Sequence, residues 1–461
     1  MPDSRPDTLR QALAHAAVRD SSVLTDGRRC VALRDLLHAS PIGSTRAGLY
    51  GRSVLIAVET QYEAAQLVID LDGCARRLLL LPPDVKDAHL PAIIRDAEID
   101  AIVCSNPAAY QHLGVEAIFA CGAGLAPVDA TTAPAARTEW LMLTSGTTGD
   151  PKIAVHTLAA LTGAIATLGA TEQRPIWATF YDIRRYGGLQ IFLRAIFAGG
   201  SLVLSRPDEA VADHLVRLTG EGVTHVSGTP THWRRALMSS AVEGFRPDYV
   251  RLSGEISDQA ILDALREAFP EASIGHAYAS TEAGVGFDVN DGMEGFPASY
   301  LEAARNGVEM KVIDGSLRIR SSRMASSYAG RPDLAMADEQ GWIDTGDMVD
   351  LRNGRCYFSG RRGGIINVGG LKVHPEEIET VINRHAAVRQ SRVKPRKSPI
   401  IGSIVVADVV LLDNTRDPEG AKRDILELCR SNLPAHKIPA LVNVVGSIDM
   451  TAGGKVSRQH A

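Results

Sequence analysis

Short apolar runs alternate with amphipathic stretches through the first half of this chain, and that alternation admits few architectures. Ser53-Val54-Leu55-Ile56-Ala57-Val58 reads as a strand and Tyr62 to Leu71 as a helix. Leu78-Leu79-Leu80-Leu81 reads as a second strand, stopped by Pro82-Pro83. A helix over Leu90 to Glu98 and a third strand at Ala101-Ile102-Val103-Cys104 follow, and the pattern returns at Ser201 to Leu204, Ala210 to Leu218 and Val223 to Val226. These strands are apolar throughout rather than at every second residue. Strands covered on both faces by helices in a largely parallel sheet look like this.

The pattern then changes twice. From about Met310 short strands separated by Gly turns (Lys311 to Ile313, Leu317 to Ile319, Arg355 to Phe358) predict a small β subdomain. Beyond Ser359-Gly360 a helix from Pro375 to Arg384, a strand from Ile404 to Leu412 and a helix from Pro418 to Arg430 predict a separate α+β unit behind a Gly-rich joint. The predicted fold is α/β: a large layered αβα N-terminal domain over residues 1–359 that includes the β subdomain, then a small α+β domain over 360–461. At 461 residues there is ample chain for both.

Composition excludes some functions. A net charge of −5 offers no polyanion-binding surface, so nucleic acid is not an expected partner. The six cysteines fall without metal-ligand spacing and read as reduced structural thiols. The N-terminal stretch MPDSRPDTLRQALAHAA has no apolar signal core, and no run reaches the length of a membrane span. A soluble cytoplasmic protein is the expectation.

Five motifs carry chemistry. The first, Thr144-Ser145-Gly146-Thr147-Thr148-Gly149-Asp150-Pro151-Lys152, sits between the apolar runs Trp140 to Leu143 and Ile153 to Val155. Its hydroxyls, backbone N–H groups and lysine can wrap phosphate oxygens. It lacks the Gly-x-x-x-x-Gly-Lys-Ser/Thr order of a Walker loop. The second is Tyr278-Ala279-Ser280-Thr281-Glu282. It combines an aromatic face for a purine, a hydroxyl for a phosphate and a carboxylate suited to Mg²⁺ beside phosphates. The third, Asp344-Thr345-Gly346-Asp347, holds a carboxylate at a turn where it can accept both hydrogen bonds of a ribose diol. The fourth runs from Gly360-Arg361-Arg362-Gly363-Gly364 through Val368-Gly369-Gly370 to Pro375-Glu376-Glu377, a flexible joint leading into a well-started helix. The fifth is Thr451-Ala452-Gly453-Gly454-Lys455-Val456-Ser457-Arg458.

In this order the motifs resemble the superfamily of adenylate-forming enzymes: acyl- and aryl-CoA synthetases, firefly luciferase and peptide-synthetase adenylation domains. The resemblance covers Trp140 to Arg458 and reaches the earlier residues by layout alone. It implies an AMP-forming acid–thiol ligase that uses ATP and Mg²⁺ to make an acyl-adenylate, then passes the acyl group to a thiol. It implies that Thr144, Ser145, Gly146, Thr147, Thr148 and Lys152 hold the β- and γ-phosphates. Thr281 would contact the α-phosphate and Glu282 would bind Mg²⁺. Tyr278 would lie along the adenine, with Ser253-Gly254-Glu255-Ile256 on its other face. Asp347 would bind the ribose with Arg361 nearby, and Lys455 would be the mobile catalytic lysine. Arg362 and Gly363 would be the hinge about which the small domain rotates between half-reactions. Gly363 departs from the acidic residue or lysine usual there, Asp449 replaces a common proline and Ala279 a common glycine.

The acid pocket is implied in two stretches: Tyr181, Arg184, Tyr186 and Gly187 from the first, and Ser227, Gly228 and Thr229 from the second. Polar and aromatic residues around glycines suit a small hydroxybenzoate-like acid better than a fatty acid. The acceptor is a phosphopantetheine thiol, on an acyl carrier protein or on CoA, and the basic run Arg392 to Lys397 could meet either. Length and Arg/Ala-rich style resemble stand-alone ligases of the aryl-polyene, xanthomonadin type, which load a carrier protein with 4-hydroxybenzoate. A ligase using free CoA, and a nucleotide-binding protein without catalysis, are the alternatives.

Overall fold

The structure is a computed structural model that describes residues 6–16, 21–122, 124–128, 137–144, 151–165, 174–368, 371–398, 402–413, 415–451 and 453–457. Two sheets form the large part. The first orders its strands Gly284–Val289, Ser273–Ser280, Tyr249–Ser253, His225–Gly228, Ile176–Thr179, Ser201–Val203, Val23–Thr25 and Cys30–Ala32. Its six inner strands run parallel and both edge strands antiparallel. The second orders Ser327–Tyr328, Lys152–Thr157, Glu139–Thr144, Arg77–Leu80, Ser53–Ala57, Ala101–Cys104 and Ala117–Ala120. Its last five are parallel.

The layering expected from the sequence is present and doubled, giving helix, sheet, helix, sheet, helix. One core lies between the sheets, where Ile56, Leu80, Trp140, Trp177 and Leu202 meet Leu67 of the helix Gln61–Leu71 and Phe192 of the helix Tyr186–Phe197. Successive strand residues face opposite ways. Ala178, Val203, Val226, Val250 and Leu252 therefore face a second core under the helices Val211–Gly220, Pro230–Ala236 and Gln259–Ala268. Leu55, Leu79 and Ile102 face a third core, under Leu90–Asp96. Each fully buried Leu, Ile or Phe here contributes roughly 1.5–3 kcal/mol of transfer free energy. The helix Gln61–Leu71 starts where it does because Thr60 and Glu63 form a reciprocal capping box.

The five-stranded β subdomain orders Phe296–Pro297, Arg355–Arg361, Ile343–Arg352, Ser316–Ser321 and Val308–Ile313. After the turn Arg362–Gly364, a further core of Ile366, Ile378, Val405, Ala407, Ile425 and Val442 draws only on residues beyond the joint. The helices Pro375–Ile382 and Pro418–Asn432 accompany its three-stranded sheet. Among the described residues no helix is long and apolar enough to cross a membrane.

Candidate active site

The strands Glu139–Thr144 and Lys152–Thr157 pair antiparallel, with Thr144 directly opposite Lys152. The expected phosphate residues Ser145, Gly146, Thr147 and Thr148 fall between these strands in sequence and lie outside the described residues, as do Gly369 and Gly370. Lys152 reaches over the ring of Tyr328, its Nζ 5.3 Å from the centroid. The Tyr328 hydroxyl lies 3.4 Å from Glu282 Oε1. Burial, with Glu282 beside it, pushes that phenol up to about 12. Lys152, Glu282, Tyr328, Ser280, Thr345 and Arg361 line one cleft of about 450 Å³.

Beside this cleft the Tyr278 ring runs nearly parallel to those of Phe287 and Phe358, with centroids 5.6 and 5.3 Å away. Its hydroxyl donates to Asp347 Oδ2 at 2.6 Å. Arg361 Nε donates to Asp347 Oδ1 at 2.9 Å, and Arg361 Nη2 donates to the Thr345 carbonyl. Burial and the Asp347 charge hold the Tyr278 phenol well above its ordinary range. Tyr278, Asp347 and Arg361 thus form one hydrogen-bonded unit, and nothing in the sequence signals that these three bond to each other. His156 supports the neighbouring motif: its Nε2 pairs with the Thr281 carbonyl at 2.7 Å. Burial lowers its pKa to about 4.

Glu282 is a carboxylate of this cleft suited to a cation. Among the described residues no group of three or more His, Cys, Asp or Glu could hold a metal alone. That donor set fits Mg²⁺, which takes one or two carboxylates and completes its shell with phosphate oxygens and water.

Lys455 comes from the other side, on a turn closed by Gly454 N to the Thr451 carbonyl and Thr451 N to the Lys455 carbonyl. The turn is docked on the large domain. Thr229 Oγ1 donates to the Gly454 carbonyl at 2.8 Å, and Val456 N donates to Glu255 Oε1 at 2.9 Å. Gly454 sits at φ +71° against the His232 ring, which leaves no room for a Cβ. Gly254, at φ +85°, lets the lysine come close: a Cβ there would stand 3.3 Å from Lys455 Cε. Lys455 is exposed at its surface, yet the protein packed around it lowers its pKa, with Glu255 opposing and Arg361 adding to the effect. Ser253 accepts the Tyr181 hydroxyl at its carbonyl, 2.7 Å away, while Ile256 is half-buried. At the joint, Arg362 donates to Asp344 at 3.1 Å, and nothing stands within 4 Å of a Cβ placed on Gly363.

The acid-pocket residues separate into two kinds. Arg184 is engaged by Asp182 and by the Val58 carbonyl, which leaves its guanidinium tied into the framework. The Tyr181 ring packs against Gly187, and Gly228 against Phe180 and Trp233. Tyr186 and Ser227 differ, because both are buried and neither Tyr186 Oη nor Ser227 Oγ makes a hydrogen bond among the described residues. The Tyr186 hydroxyl lies near the Val285 backbone N–H without good bonding geometry. Tyr186 stands at spacing i, i+4, i+8 with Gln190 and Arg194, so all three share one face of their helix. Gln190 Oε1 and Arg194 Nε and Nη2 are also buried without partners among the described residues. Ser227 is the register partner of Arg251, whose charge is paired with Asp288. Burial lowers the Arg194 pKa to about 10, helped by Arg251. The motif-based reading of the sequence does not reach Gln190 and Arg194, although their helical spacing from Tyr186 is a usable signal.

Residues 51–322 match the AMP-binding enzyme family, and residues 377–455 match the AMP-binding enzyme C-terminal domain. The 2-succinylbenzoate–CoA ligase of Salmonella typhimurium is 26% identical over 420 residues, covering 89% of this chain and 86% of that protein. The p-hydroxybenzoic acid–AMP ligase FadD22 of Mycobacterium tuberculosis is 26% identical over 441 residues, covering 88% of this chain and 61% of that protein. The crystal structure of the anthranilate CoA ligase AuaEII with anthranoyl-AMP matches with a TM-score of 0.82 at 18% identity, covering 97% of this chain and 95% of that one, a likeness of fold.

Proposed function

This chain belongs to the AMP-binding enzyme family, and from that premise we propose that it activates a small aryl acid bearing an oxygen at its far end, of the hydroxybenzoate kind. The acid's carboxylate attacks the α-phosphate of ATP, the α–β bond breaks and pyrophosphate leaves. The thiolate of phosphopantetheine then attacks the acyl carbon and releases AMP, its proton passing to solvent. Such chemistry rests on positioning and charge neutralisation. Lys152, Thr144 and the turn between them would hold the β- and γ-phosphates, and Thr281 the α-phosphate. Tyr278, Ser253, Gly254, Ile256, Asp347 and Arg361 would hold the nucleoside. Lys455 would offset charge on the reacting carboxylate and α-phosphate. Glu282 would hold Mg²⁺, which when bound offsets phosphate charge.

The unpartnered polar atoms of Tyr186, Gln190, Arg194 and Ser227 carry the proposal for the acid. Buried polar groups in native proteins are nearly always paired, so a cluster of orphans marks a place where something else completes the bonding. Thr229 and Gly254 meet the docked turn, and Ser227 and Arg251 lie two and three residues earlier along the same two chain segments. Two strand residues span roughly 7 Å, about one substituted benzene ring. An acid whose carboxyl meets Lys455 would therefore present its far oxygen to this cluster.

For the acceptor, a carrier-bound thiol is the reading the sequence suggests. A second reading, free CoA, is favoured by the name of the Salmonella relative. Arg392 and Lys394 both pair with the buried Asp408, which reduces the charge the basic run offers to either acceptor.

Acid-dependent pyrophosphate exchange across benzoates, hydroxybenzoates, aromatic diacids, fatty acids and amino acids tests the first step. Exchange should be fastest with aryl acids bearing a distal oxygen. A preference for unsubstituted benzoate or for fatty acids would refute that substrate class. Offering CoA and a holo carrier protein to the best acid then decides the acceptor.

A further inference from the structure

The sequence suggests Glu255 for an adenine wall, but its two oxygens are occupied elsewhere. Oε2 accepts from Thr231 N at 3.1 Å, within the large domain. Oε1 accepts from Val456 N at 2.9 Å, in the turn that carries Lys455. One carboxylate therefore bonds the backbones of both domains, and its contact on the small domain is the residue next to the lysine. Thr229 adds a second hydrogen bond, to the carbonyl of the residue on the other side, Gly454. The lysine is thus held by its two neighbours in the chain, while its own side chain stays available to substrate.

We infer that Glu255 is a positioning residue that latches the Lys455 turn into the adenylate-forming arrangement, rather than a nucleotide contact. The inference rests on the proposed two-step reaction. Backbone N–H groups are strong donors, and a bond from one to a charged carboxylate is worth more than a neutral pair. The contact is also short in reach: an N–H pointing at Oε1 fixes the turn within a fraction of an ångström, and the lysine with it. Rotation of the small domain would break the Val456 bond and leave the Thr231 bond in place. The carboxylate would then remain ready for the turn to return. Thr231 N orients Glu255, Glu255 orients Val456, and Val456 orients Lys455.

The test uses Glu255→Gln and Glu255→Ala in the full-length protein. Gln has one carbonyl oxygen for two N–H donors, so it keeps the shape and loses half of the contact; Ala loses all of it. Pyrophosphate exchange should fall roughly 10-fold in E255Q and 10- to 100-fold in E255A, the scale of a lost hydrogen bond to a charged group. Thiol capture of a supplied acyl-adenylate should be unchanged in both, because that step does not use the latch. Hydrogen–deuterium exchange in segment 449–457 should quicken, with the helix Pro418–Asn432 unchanged as the internal reference. Unaltered adenylate formation, unaltered exchange in 449–457, or equal loss of both half-reactions would each overturn the latch. If the wild-type protein exchanges pyrophosphate with no acid, the adenylation reading fails. The deuterium comparison between wild type and E255A still decides the latch in that case.

Discussion

The residues proposed for the nucleotide and those proposed for the acid are of similar types and are treated in opposite ways. Tyr278, Asp347 and Arg361 bond to one another within the protein, and His156 fixes Thr281 through its carbonyl. Tyr186 Oη, Gln190 Oε1, Arg194 Nε and Nη2 and Ser227 Oγ are also buried, yet they have no hydrogen-bond partner among the described residues, although Gln190 Nε2 donates to the Leu161 carbonyl. The first arrangement is pre-organised and would suit a ligand that is always the same. The second leaves these atoms without protein partners among the described residues, and a buried polar group left unpaired costs about 1–3 kcal/mol. A pocket of that kind rejects a molecule lacking the matching oxygen far more strongly than an apolar pocket can, because the wrong ligand leaves the orphans buried.

The largest expected effect belongs to the residue that would serve both sides. Lys455→Ala should reduce adenylate formation by roughly 10²- to 10³-fold, the scale for removing one preorganised charge or donor at a developing anion. Transfer from a supplied adenylate should be nearly unaffected. Measuring the two half-reactions separately checks this, and parallel losses would deny Lys455 a role confined to the first.

His156 stands between the two regions. Its Nε2 donates to the Thr281 carbonyl, its Nδ1 has no partner among the described residues, and its ring lies 5.6 Å from that of Tyr186. Its folded pKa is about 4, against an ordinary 6.5. Between those values the unfolded chain binds a proton that the folded chain refuses. The neutral ring's contribution is therefore fully present above pH 6.5 and lost as pH falls toward 4, about 3 kcal/mol in all. Urea unfolding of wild type and His156→Gln between about pH 7 and pH 4 should show a shallower loss in the variant. Parallel curves would mean that His156 is not held neutral.

One of the two regions is far easier to read from the chain than the other. The nucleotide motifs are contiguous in sequence, so Thr144 to Lys152, Tyr278 to Glu282 and Asp347 stand out as strings of residues. The α/β layering is equally plain, since apolar strands at Ser53, Leu78 and Ala101 have nowhere to go but a covered sheet. The division into two sheets is not visible, because local periodicity carries no information about which strands pair. The acid end is only half legible. Tyr186 and Ser227 can be picked out, whereas Arg194 lies eight residues along a helix whose other faces are core, and its isolation is a property of three dimensions. Arg184, suggested alongside them, is instead tied to Asp182 and Val58.

Arg194→Met is the sharpest test of the orphan cluster. Activity with the best distal-oxygen acid, measured as kcat/KM, should fall roughly 100-fold, and benzoate should be affected much less. Folding stability should hold or rise, because a largely buried charge with no ion pair among the described residues is removed and similar volume is kept. A clear loss of thermal stability would show that Arg194 is a structural cation and that the two regions do not differ as described.

The counterpart on the nucleotide side is Asp347→Asn, and its effect should be smaller and of the other sign in stability. The amide keeps the shape but offers one acceptor oxygen where Tyr278 and Arg361 now use two. The Tyr278 hydroxyl is the donor with more to lose, since its ring is enclosed while the Arg361 side chain is 54% exposed and can turn to water. The expected cost is about 1–2 kcal/mol, the net worth of one such bond, seen as a lower urea midpoint with unchanged slope. KM for ATP should rise while selectivity among acids stays as in the wild type. If D347N instead altered the ranking of acids, the two halves of the cleft would be coupled through Tyr278. Pre-organisation on one side would then be part of recognition on the other.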